Sequence, residues 1–244
     1  MLIAAVYSQT DNEREGIILN NQGVAQFQKG DYQEALKTLN RSAELFPTNA
    51  VIHRNLGHLY WKKLNDLARA ETTFRNAIRL APDFALTYNE LGVMLMAANR
   101  EKEALNVFLK AGALKPDDAI IQLNIGKVQM AVNDLRGAVA TLERAKSIDP
   151  QSALIRVSLG DAYAMRKKFD LAIAEVRYAI QIDPENEEAQ FLLGSLYVAK
   201  RDRQAAIVQQ RAVLALNPEL GRRLFQAIYS DMILVLPPSG FGPK

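Results

Sequence analysis

Chemistry in a protein usually starts from histidines, cysteines and converging carboxylates, and this chain has few of them placed to cooperate. It contains no cysteine and only two histidines. Composition therefore excludes disulfides, a thiolate nucleophile and Cys-ligated zinc or iron–sulfur centres. His53 and His58 are five residues apart, so on a helix they do not share a face as an i, i+4 metal pair would. Carboxylates are numerous but scattered, as in Asp117-Asp118 and Glu185, Glu187 and Glu188, near helix starts where they favour the dipole. The glycines stand singly within helical stretches, and none forms a loop that could cradle phosphate. Lys62-Lys63, Arg166-Lys167-Lys168 and Lys200-Arg201 fall at helix C-terminal ends, where cations complement the dipole. No catalytic residue, metal ligand or cofactor is assigned, and the chain reads as a non-enzyme.

The remaining composition describes a globular protein. The chain has 244 residues, 49% hydrophobic and 23% charged, which is enough apolar surface for a packed core. Thirty basic against 27 acidic residues give a net charge of +3, with no concentrated basic face of the kind nucleic-acid binding requires. No apolar run reaches the roughly 18 residues that span a bilayer. The first eight residues, Met1-Leu-Ile-Ala-Ala-Val-Tyr-Ser8, read as a short strand or helical turn packing on the first helices of the chain. That reading places the protein in the cytoplasm. The alternative, a remnant of a signal peptide without its basic region, would make it exported or periplasmic.

Periodicity is the main signal. Gly23, Gly57, Gly92, Gly126, Gly160 and Gly194 recur at steps of 34 or 35. Pro47, Pro82, Pro116, Pro150, Pro184 and Pro218 keep the same step, as do Ala35, Ala70, Ala104, Ala138, Ala172 and Ala206. Six of 13 glycines and six of nine prolines in one register make the chain a tandem array. Apolar residues at helical spacing, such as Leu86, Tyr88, Leu91, Met94 and Leu95, are followed by a short polar turn and a second helix that a proline stops. Glycine at position 8 and alanine at position 20 are expected to face each other where the two helices cross. The residue after the proline, as in Pro82-Asp83, Pro116-Asp117 and Thr48-Asn49, is expected to cap the next helix.

This pattern resembles the tetratricopeptide repeat family, whose 34-residue unit is a pair of antiparallel helices, A and B. The fold expected is all-α: a right-handed α-solenoid of six helix-turn-helix repeats plus a C-terminal capping helix. The repeats span 16–49, 50–84, 85–118, 119–152, 153–186 and 187–220, between an N-terminal segment 1–15, a capping helix 221–231 and an apolar Pro/Gly-containing tail 232–244. Position 24 carries Leu39, Phe74, Phe108, Leu142 and Val176, but Gln210 in the sixth repeat, where a large apolar residue is expected.

The resemblance implies a non-catalytic protein-interaction module in which A helices line a concave groove through positions 2, 5, 6, 9, 12 and 13. Position 6 is Asn21, Asn55 and Asn124 in three repeats, and an asparagine amide supplies the donor and acceptor that a peptide backbone needs. The ladder is interrupted by Glu90, Ser158 and Leu192. The family's carboxylate clamp for chain termini is not present: its five positions hold Asn20, Val24, Asn55, Leu86 and Glu90, and only Asn55 matches. The groove residues expected to contact a peptide are Asn21, Asn55, His58, Trp61, Asn89, Val93, Met96, Leu123, Asn124, Lys127, Met130, Val157 and Phe191. Repeats one and two read as polar at these positions and repeats three to six as apolar. The partner implied is a peptide or amphipathic helix of another protein, with no nucleic acid and no membrane span. Self-assembly into a homo-oligomer through the groove or the tail segment Met232–Leu236 is the alternative.

Overall fold

A computed structural model describes the backbone of residues 2–233 and the side chains of residues 10–230. Among the described residues there are thirteen helices and no strand. They fall into two compact units, 1–117 and 118–244.

The N-terminal unit contains three helix pairs: α1 (Leu2–Lys29) with α2 (Tyr32–Leu45), α3 (Ala50–Lys62) with α4 (Leu67–Leu80), and α5 (Ala85–Ala97) with α6 (Glu101–Leu114). Residues 2–15 do not form a separate strand or turn, because α1 runs through them without a break into the first A helix. Ser42 Oγ near the end of α2 donates to Gly16 O at 2.6 Å, so the 14 residues before Gly16 extend past the end of α2. The C-terminal unit contains α7 (Ala119–Ala131) with α8 (Leu135–Ile148), α9 (Ala153–Met165) with α10 (Phe169–Ile182), and α11 (Glu187–Ala199) with α12 (Arg203–Leu216). Helix α13 (Pro218–Ile233) closes this unit against α11 and α12. The tail beyond Ile233 lies outside the described residues.

The helix crossing involves a third position beside the two expected, as Gly160 lies against both Val176 and Ala172 O. Alanine at position 20 is fully buried in all six repeats, but the glycine at position 8 faces the side chain at position 24. A Cβ on Gly23 would sit 2.6 Å from Leu39 Cγ, on Gly57 2.9 Å from Phe74 and on Gly126 2.5 Å from Leu142 Cγ. Any side chain there would force the pair apart. In the sixth repeat Gln210 cannot supply the apolar group, and its amide instead donates to Gly221 O at 3.1 Å. Leu224 of α13, 1% exposed, occupies the space over Gly194 in its stead. Gly221 lets α13 come close to Leu214, since a Cβ there would lie 2.5 Å from the Leu214 Cα. The capping helix thus supplies the core residue that the last repeat lacks.

Helix A caps fall one residue later than expected in the third and fourth repeats. Asn49, Asp118, Ser152 and Asn186 accept from backbone N–H groups of the next turn, whereas Asp83 and Asp117 are not the N-caps. Phe84 takes the cap position of α5 and forms no side-chain cap. Each A-to-B turn contains one left-handed residue: Gly30, Asn65, Asn99, Asn133, Lys167 and Arg201. Glycine and asparagine suit that conformation, and for lysine and arginine it costs about 1 kcal/mol.

Candidate binding face

The A helices carry the candidate site. In the N-terminal unit, position 5 of the first repeat is Asn20, 8% exposed, and its Oδ1 accepts from Asn55 Nδ2 at 2.8 Å. Asn20 in turn donates to Asn21 Oδ1 at 3.4 Å. The Asn55 amide is therefore partly committed to joining two repeats, and its Oδ1 remains available. Asn21 is exposed. Beside this pair, Val24, Phe27, Leu39, Asn55, Gln28 and His58 line a cavity of about 150 Å³, the size of one aliphatic or aromatic side chain.

Helix α3 extends this face. His58 Nε2 lies 2.8 Å from Glu90 Oε1, and Arg54 Nε lies 3.6 Å from Glu90 Oε2. The His58 ring stands edge-on to Phe74 and 6.2 Å from Trp61, and Lys62 Nζ lies 3.5 Å over the Trp61 ring. Trp61, Asn89, Val93 and Met96 are all half-buried. His53 belongs elsewhere: its Nε2 is 2.7 Å from Pro47 O. Arg156 and Gln190, at the same repeat position, bond Pro150 O and Pro184 O, so this contact is architectural. The two histidines thus serve separate contacts. Among the described residues, no three His, Asp or Glu side chains converge as a metal site.

In the C-terminal unit two expected groove residues are core. Leu123 and Val157 are each 2% exposed; Leu123 packs with Leu142, Ile155 and Leu159, and Val157 with Val176, Leu193 and Leu196. Both occupy position 5, which here faces the seam with the next repeat, and they leave the candidate site. Asn124 and Met130 are half-buried and Lys127 is exposed. Phe191 is half-buried, with the Arg223 guanidinium 5.3 Å from its ring centre.

Of two further features, the sequence showed the first only in repeats three to five and the second not at all. Position 2 of the A helices carries an exposed apolar residue in five repeats, Ile17, Val51, Leu86, Ile120 and Leu154, at 39–52% exposure. Ile17 and Val51 fall in the repeats expected to be polar, so the contrast between repeats is smaller than the sequence suggested. The second is Asp161, at position 9 of the fifth repeat. Burial pushes its carboxyl up to about 6, with Glu188 adding to the rise and Lys127 opposing it. Its position on the groove register was a usable signal, and its burial was not.

Further ion pairs tie the helices together. Glu71 takes Arg100 at 2.5 Å and Arg75 at 2.7 Å, and Arg100 holds its carboxyl below the usual range. In the C-terminal unit Glu175 bonds Lys146 and Arg156, each at 2.8 Å.

Sequence models described as tetratricopeptide repeat match residues 55–119, 123–187 and 187–220, and one described as TPR repeat matches 23–63. The chain belongs to the tetratricopeptide repeat family. Among solved structures, this tetratricopeptide repeat protein is similar to PilW, described as a widely conserved type IV pilus biogenesis factor. The identity is 22% and the TM-score 0.76, over 86% of this chain and 98% of that one. Pseudomonas aeruginosa PilF aligns at 20% identity and TM-score 0.75, over 89% and 99% of the two chains. YrrB, described as a TPR protein with an unusual peptide-binding site, aligns at 21% identity and TM-score 0.63, over 77% and 97%. These likenesses show the fold. No curated protein matches the chain. Membership of the family gives the chain a protein-interaction role, and among the described residues no helix is long and apolar enough to cross a membrane.

Proposed function

We propose that the protein is a non-catalytic adaptor that holds a segment of a partner protein against its A-helix face, with the anchor point in the N-terminal unit. The observation that carries this reading is the side-chain-sized cavity between Val24, Phe27 and Leu39, with Asn55 and His58 on its rim. An apolar pocket bordered by amide and imidazole groups suits one buried side chain of a peptide whose backbone is hydrogen-bonded beside it. Exposed Ile17, Val51 and Leu86 supply further apolar contacts on the A helices of the same unit. Asn21, Trp61, Asn89, Val93 and Met96 belong to this reading, as do Asn124, Lys127, Met130 and Phe191 in the C-terminal unit.

The test is to map a partner captured from the native source by amide hydrogen exchange on the full chain. Protection concentrated in residues 17–28 and 51–61 is expected. Protection confined to the B helices would remove the proposal.

A further inference from the structure

Successive seams of the C-terminal unit use the same repeat positions differently. Between the fourth and fifth repeats, Tyr163 at position 11 donates to Glu143 Oε1 at position 25, at 2.7 Å. Glu175, at position 23, completes that seam by accepting from Lys146 and Arg156. At the next seam position 11 is Tyr197, position 25 is Arg177 and position 23 is Gln209, whose amide bonds Gln190. Both carboxylates have gone, and two donors face one open cavity of about 520 Å³. Neither Arg177 nor Tyr197 has a polar partner among the described residues. Ala205 and Val208, the latter 64% exposed, form the apolar wall. Asp202 stands at the rim, with its Oδ1 taken by the Ala205 N–H at 3.0 Å.

We infer that this cavity binds the side chain of a glutamate presented by a partner protein. A carboxylate accepts from the guanidinium and the phenol together, much as Glu143 at the preceding seam accepts from the Tyr163 phenol and the Lys146 ammonium, and a charged acceptor strengthens both bonds. The two methylenes of glutamate lie along Val208 and Ala205. The Arg177 guanidinium offsets a single negative charge, and the Asp202 carboxylate in the lining opposes a phosphate dianion more strongly than a monoanion. The cavity is open, so a carboxylate held within a larger protein contact gains over a free acid by effective concentration. The site uses B-helix residues and positions 7 and 11 of α11, not the groove register. It stands or falls independently of the proposed A-helix anchor.

The experiment is a side-chain NMR titration of the full chain, reading the Arg177 Nε–Hε and Tyr197 ring signals. The probes are the blocked tripeptides Ala-Glu-Ala and Ala-Gln-Ala, butyrate and inorganic phosphate. The glutamate peptide is expected to move both signals saturably, at least tenfold more tightly than the glutamine peptide and more tightly than butyrate or phosphate. Arg177→Gln, an exposed substitution, lowers the affinity for the glutamate peptide at least tenfold and Tyr197→Phe about threefold. Unmoved signals, equal response to the two peptides, or unchanged affinity in Arg177→Gln would overturn the site. Tighter binding of butyrate or phosphate would overturn the assignment to a glutamate side chain.

Discussion

The two units are built from the same helix pair, yet their A helices carry different chemistry. In the N-terminal unit positions 5, 6 and 9 hold the pairs Asn20–Asn55 and His58–Glu90, with Arg54 3.6 Å from Glu90, and an apolar cavity lies beside Asn55 and His58. In the C-terminal unit position 5 holds Leu123 and Val157, which fill the seams, and position 9 holds the half-buried Asp161 with its raised pKa. Repeat geometry fixes where a position lies, and the residue placed there decides whether the position becomes core, hydrogen-bond network or binding surface.

The largest expected effect tests the shared geometry. Gly126→Leu puts a branched side chain where a Cβ alone would come within 2.5 Å of Leu142, and should destabilise the C-terminal unit by roughly 3 kcal/mol or more. Arg136→Ala, exposed on the following helix, should leave the thermal midpoint within a degree or two. Equal midpoints for the two variants would show that position 8 is not a close contact. Leu224→Ala comes next, at about 2–4 kcal/mol, because the apolar cover that Leu224 places over Gly194 is lost. A loss below about 0.5 kcal/mol in urea denaturation would mean that α13 does not substitute for position 24.

Asp161 sharpens the comparison through pH. Its folded pKa, raised to about 6, exceeds that of an unfolded aspartate. Between those values the folded state binds the extra proton, so stability is highest below the unfolded pKa and falls as pH rises to about 6. Asp161→Asn removes that loss and should stabilise the protein at pH 7.5 by about 1–3 kcal/mol, with the advantage vanishing below pH 4. A pH-independent difference between the two proteins would contradict this. The N-terminal counterpart, Asn55→Ala, should cost about 1 kcal/mol at every pH through the lost bond to Asn20.

The smallest effect concerns the turns. Lys167→Gly should stabilise by about 1 kcal/mol by relieving left-handed backbone, while Asn99→Gly changes little. Similar midpoint shifts for both would show that no cost is attached to lysine at that turn.

The repeat register, the helix pairs and the capping helix were legible because each helix pair needs a small residue at the crossing, and a proline recurs after every B helix. What escaped depends on neighbours. Gln210 signals a gap in the sixth repeat, but only packing shows that Leu224 fills it. Leu123 and Val157 share apolar character with true surface residues such as Ile120 and Leu154, and only the packing of position 5 against the next repeat sets them apart from position 2. Phe84 as a cap without a side-chain bond, and Lys167 and Arg201 in left-handed turns, are local preferences that the packing of adjacent helices overrides.

The central claim is that the N-terminal A-helix cavity anchors a partner. The most direct measurement is a calorimetric titration of the captured partner against wild type and Val24→Phe, which fills that cavity, with matched thermal midpoints confirming that both are folded. At least a tenfold loss of affinity in the variant is predicted, together with a Trp61 emission shift on binding to the wild type alone. Equal affinity for the two proteins, with Trp61 emission unchanged, would contradict it.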